Sequence, residues 1–160
     1  MLPRNLLGYW NGADPPDGAL IPGASITDYE RACAVTDDIA LIDVGPGAGI
    51  VLRNEPFDTM WLCRPDDRDL YLVRWEHGES DEEVYAALDH FVPRDEIECI
   101  SLFAVPGDQL VLLEAAMPGT DILTAHEVVD VDAARYRVTY IHFTPDPRTA
   151  VHVYHMCVVP

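Results

Sequence analysis

Apolar residues in this chain come in short runs broken by glycine and proline, and one stretch alone repeats with helical spacing. The runs at 39–44, 50–52, 59–63 and 70–75 are rich in β-branched and aromatic residues, which predicts strands. The first two flank Gly45-Pro46-Gly47-Ala48-Gly49, so they predict a hairpin whose loop is longer than the two-residue type. Between 80 and 92 the period changes. Val84, Leu88 and Phe91 recur at i, i+4 and i+7, one stripe of an α-helix. Ser80 stands three residues before Glu83, the capping-box spacing, while Asp81 and Glu82 suit the positive end of the helix dipole. The pattern predicts a helix over 81–92, stopped by Pro93, with its stripe packed on a sheet.

Beyond the helix the chain returns to strand patterns at 99–105, 110–116 and 127–131, separated by Pro106-Gly107-Asp108 and Pro118-Gly119. A last hairpin joins 135–143 to 151–159 through a turn at 144–148; a symmetric register sets His142 opposite His152 and Tyr140 opposite Tyr154. Residues 5–24 read as an irregular segment, dense in turn formers at 14–18, with a short edge strand at 19–21 and Trp10 anchoring it on the core. The stretch 28–38 has two readings, a helical turn capped by Asp28 or an extended segment. About ten short strands and one amphipathic helix predict a mainly β (β-rich α+β) fold, an antiparallel sandwich or open barrel. One domain is expected over residues 1–160, with 1–24 packed on it.

Composition makes this a folded protein, since 49% of the 160 residues are hydrophobic. Charge narrows the partners. Twenty-eight acids against ten bases, all arginine, give a formal net charge of −18. Nucleic acid and anionic membranes need a basic footprint, so neither is expected as a partner. A basic protein suits the field, and general solubility is the competing explanation. No apolar run approaches the ~18 residues of a membrane span. Met1 to Gly8 is broken by Pro3 and lacks the apolar stretch of a signal peptide. Cys33, Cys63, Cys99 and Cys157 are widely spaced, which suits reduced thiols in a cytoplasmic protein.

Candidate chemistry is sparse. His142 and His152 form a candidate metal pair; His155 points to the other face, so a third ligand such as His126 or Asp146 must come from elsewhere. Cross-strand polar pairing is the competing role. A Cys/His nucleophile, Cys157 with His155 or Cys33 with a distant histidine, lacks the electropositive niche that activates a thiol. Ser80 is explained as a cap, and Ser25 and Ser101 lack nucleophile-elbow glycines. The glycine stretch at 45–49 lacks the Lys-Ser/Thr ending of a phosphate loop. The many carboxylates read as solvated faces and dipole partners, or together as a negative surface with aromatic anchors such as Trp61, Tyr71 or Trp75.

The stretch Asp28-Tyr29-Glu30-Arg31-Ala32-Cys33, the glycine hairpin ending Arg53-Asn54-Glu55-Pro56, and Trp61-Leu62 resemble the immunity protein 21 family. Leu72-Val73-Arg74-Trp75 and the capped acidic helix follow in the family's order, and Trp10-Asn11-Gly12 looks like its W-x-G segment. The strands at 112–119 and 135–138 are similar to its C-terminal part, while 124–132 has no place in the pattern. The resemblance implies a bacterial protein that binds and blocks a cognate polymorphic toxin, without catalytic residues and without a cofactor. Candidate contact residues are Asp28, Glu30, Asp37, Asp38, Glu76, Glu79, Asp81 and Glu82, with Trp61 and Trp75 as anchors. Two other readings stand beside it: a small metal- or Cys/His-dependent hydrolase using the terminal-hairpin histidines, and an accessory β-sandwich interaction domain.

Overall fold

The computed structural model describes residues 1–14, 26–53, 58–62, 69–92, 98–103, 108–121, 127–131 and 135–159, without the side chains of Glu98, Cys99 and Phe103. In chain order the elements are β1 (Leu2–Pro3), a 3-10 helix (Arg4–Tyr9), α1 (Asp28–Cys33), β2 (Ile39–Val44), β3 (Gly47–Leu52), β4 (Thr59–Leu62) and β5 (Leu70–His77). There follow α2 (Asp81–Asp89), β6 (Glu98–Phe103), β7 (Gln109–Val111), β8 (Val128–Asp130), β9 (Arg135–Asp146) and β10 (Thr149–Val158). The protein is mainly β, and the described residues form three open antiparallel sheets and one longer helix. These elements divide into two compact units, Met1–Arg53 with Leu102–Arg135, and Asn54–Ser101 with Tyr136–Pro160.

In the first unit β2 pairs with β3 from Ile39↔Leu52 to Val44↔Gly47, so Gly45 and Pro46 alone close the hairpin. The loop is therefore shorter than the sequence predicts. Gly45 holds φ at +53°, the left-handed region that the first residue of a tight hairpin turn needs. Gly47 and Gly49 lie inside β3 because the N-terminal segment crosses close above them. A Cβ on Gly49 would collide with the Leu2 side chain and come within 3.0 Å of the Met1 carbonyl oxygen. The Met1 ammonium donates to the Ile50 carbonyl at 2.7 Å, and the Ile50 N–H donates back to the Met1 carbonyl at 2.8 Å.

That segment is more regular than the irregular stretch expected from the sequence. Leu2 and Pro3 pair with Val111 and Leu110 at the edge of the β1-β7-β8 sheet, and the 3-10 helix follows directly. Leu2, Leu6, Leu7 and Trp10 supply half of a core completed by Ala32, Ile42, Val44 and Val111. Trp10 is 4% exposed and anchors the segment as its size predicts, its indole N–H donating to the Ala115 carbonyl at 3.2 Å. The strand expected at 110–116 stops at Val111, because the chain beyond it turns around Trp10. The edge strand expected at 19–21 and the turn at 106–107 lie outside the described residues.

The second unit is a five-stranded antiparallel sheet in the order β4-β5-β10-β9-β6, with α2 on one face. β9 and β10 run longer than predicted and meet at Pro147-Arg148, with an irregularity at Thr149/Val151 that absorbs the shorter turn. The predicted pairs survive: His142 is opposite His152 and Tyr140 is opposite Tyr154. α2 ends at Asp89 with His90 as its cap, and Pro93 lies outside the described residues. Ser80 accepts from the Glu83 N–H, half of the expected box. Val84, Leu88 and Phe91 are all buried, against Tyr71, Val73, Ile141, Val151 and Val153. Each such side chain contributes about 1.5–3 kcal/mol on burial, so the stripe fixes the helix to the sheet.

Candidate functional site

Side chains alternate across a strand, so the residues on the sheet face that turns away from α2 can be read from register. His152 of β10 pairs with His142 of β9 and with Arg74 of β5, bringing these three onto one face. Glu76, two residues beyond Arg74, shares their face and stands at a break in the ladder. Ala150 pairs with His77 and Val151 with Trp75, which leaves Glu76 as the extra residue of a β-bulge. Its carboxylate meets His142 Nε2 at 2.8 Å and lies 3.7 Å from His152 Nε2. The two imidazoles stack at 5.1 Å with an 18° interplanar angle. Tyr140 hydroxyl bonds His152 Nδ1 at 2.7 Å. His142 and Glu76 are exposed, whereas His152 and Arg74 are buried.

The period of two along the terminal hairpin pairs the two histidines, and nothing in the sequence marks the third member. Asp146 instead accepts the Arg148 N–H at 2.7 Å in the terminal turn, and His126 lies outside the described residues. Glu76, at the end of a predicted strand, stands among the candidate contact acids and not among the candidate metal ligands. No sequence signal announces that β5 pairs with β10, nor that a bulge falls at this position.

The proposed thiol pairs have other partners. Cys157 Sγ accepts from Arg137 Nε at 3.4 Å, while His155 bonds Asp69 at 2.7 Å and stacks on Tyr71 at 4.8 Å. Cys33 is exposed at the end of α1, and its thiol raises the Tyr29 phenol pKa above the usual value, first by hydrogen bonding and then by charge repulsion.

The candidate contact acids fall into separate groups. In the first unit, Asp28 opens α1 and Glu30 closes a full capping box with Thr27, a box the sequence reading placed only at Ser80. Thr27, not Asp28, caps the helix. Asp28 accepts the Asn11 N–H at 2.8 Å and pairs with Arg31 at 2.9 Å, while the Tyr29 N–H donates to the Gly12 carbonyl at 3.0 Å. The Trp10-Asn11-Gly12 signature is thus a clasp between α1 and the chain at 115–119. Asp37 is exposed and Asp38 half-buried before β2. In the second unit, Glu79, Asp81 and Glu82 are exposed at the start of α2, with Arg148 at 3.9 Å from Glu79 and 3.7 Å from Glu83. Trp75 packs beside the α2 core, and Trp61 sits half-buried on the opposite face; the indole N–H of each is buried without a hydrogen-bond partner among the described residues.

Among the described residues no helix is long and apolar enough to cross a membrane. The family model described as immunity protein 21 matches residues 1–149. No curated protein and no solved structure matches the chain.

Proposed function

The chain belongs to the immunity protein 21 family, and on that premise we propose that it neutralises a cognate polymorphic toxin by stoichiometric binding, acting as an inhibitor and not as an enzyme. The family match over residues 1–149 carries this reading. The toxin is a basic protein, which the net charge of −18 supports: a field of one sign speeds encounter with a partner of the other. Glu79, Asp81 and Glu82, exposed at the start of α2, supply part of that field in the second unit, as Asp37 does in the first. The bacterial cytoplasm is the compartment where such a protein would meet the toxin before release.

The test is co-expression with a toxin domain encoded beside this protein's gene. A one-to-one complex, rescued growth and an affinity that falls with ionic strength are expected. Unrelieved toxicity with no complex would overturn the reading. An affinity indifferent to salt would overturn its electrostatic part.

A further inference from the structure

The cluster of Glu76, His142 and His152 has a composition that toxin binding does not require. Each residue offers one ligand atom, and these atoms lie within 4.8 Å of one another. The three come from β5, β9 and β10, neighbouring strands of one sheet, so the backbone holds them without help from loops.

We propose that Glu76, His142 and His152 bind a divalent transition metal of the Zn2+ class. Two imidazole nitrogens and one carboxylate oxygen are a donor set for zinc-like ions, not for Mg2+ or Ca2+, which take oxygen ligands. Ligand atoms about 2.1 Å from a tetrahedral metal stand roughly 3.4 Å apart. The Glu76–His152 distance of 3.7 Å is already near that value. The 2.8 Å contact between Glu76 and His142 opens slightly when the ion displaces the shared proton.

Three independent features favour the site. Glu76 lies two positions from Arg74, so the strand period sets it on the histidines' face, and it is the extra residue of a bulge, a feature over-represented next to functional sites. Tyr140 hydroxyl sits on His152 Nδ1, so a proton on Nδ1 leaves the Nε2 lone pair facing Glu76, the outer-shell arrangement typical of metal-bound histidine. Exposure is graded, with His152 buried and Glu76 and His142 open to solvent, which gives an ion a path in and a free fourth position for water. Arg74, across from His152, adds a positive charge to the same face.

The experiment titrates chelator-stripped, full-length protein with Zn2+ by calorimetry, and with Co2+ by visible absorption. One equivalent of either ion is expected to bind, with visible Co2+ bands and a thermal midpoint that rises with Zn2+. His142→Gln and Glu76→Gln are exposed substitutions, checked for folding by circular dichroism. Each is expected to weaken binding at least roughly tenfold and to abolish the Zn2+-dependent rise. Tyr140→Phe is expected to weaken it less. No uptake by the wild type overturns the proposal, since the cluster is then a hydrogen-bonded polar pairing. Equal uptake by wild type and folded variants also overturns it, because the ions then belong to other carboxylates. Neither result bears on toxin binding.

Discussion

The carboxylate of Asp28 accepts the backbone N–H of Asn11 at 2.8 Å, joining the first turn of α1 to the Trp10-Asn11-Gly12 segment. The same carboxylate holds Arg31 at 2.9 Å, and Arg31 donates onward to the Asp43 carbonyl of β2 at 2.6 Å. One acid therefore ties α1 to two neighbours. Its half-buried position makes the loss of that acceptor costly.

Asp28→Ala is expected to destabilise the protein by about 1–3 kcal/mol, because it strands a partly buried N–H and removes the ion pair with Arg31. Asp28→Asn keeps an acceptor and loses only the ion pair, so its cost is smaller. Urea unfolding of both variants measures the difference. Equal midpoints for Asp28→Ala and wild type would remove Asp28 from the scaffold and return it to the set of candidate contacts.

The glycines at 8 and 49 make a paired prediction. Gly49→Ala drives a methyl group into Leu2, where overpacking costs about 1–3 kcal/mol. A Cβ at Gly8 would meet nothing within 4 Å, so Gly8→Ala stays within about 1 kcal/mol of wild type. Thermal melts of the two variants, side by side, read the difference directly.

Neutralising Glu79, Asp81 and Glu82 together tests the charge argument separately from the fold. Loss of their dipole interaction costs the helix about 0.3–1 kcal/mol each at most. Association with a basic toxin is expected to slow by about tenfold at low salt, with the gap closing as salt rises. Stopped-flow association at two ionic strengths provides the measurement. A rate unchanged at low salt would move the contact surface away from α2.

Much of the second unit was legible in the chain. The i, i+4, i+7 stripe of Val84, Leu88 and Phe91 predicted a buried helix face, and all three are buried. The His142–His152 and Tyr140–Tyr154 pairs followed from a period of two along a long hairpin. Local periodicity fixes such features because neighbours in sequence create them. The first unit resisted for the opposite reason. Gly47 and Gly49 looked like loop residues, and they are strand residues kept small by Leu6 and Leu2, whose approach is a long-range event.

By itself, then, the sequence determined where most of the strands lie, which face of α2 is apolar, the sign of the net charge and the family resemblance. Each of these depends on residue type and spacing over a turn or a hairpin. Tertiary structure alone decided that Glu76 meets His142 and His152, and that Asp28 serves the Trp10-Asn11-Gly12 clasp. Those contacts join residues 66, 76 and 17 positions apart, where strand order, a bulge and close packing set the geometry. No periodicity within a single segment encodes them.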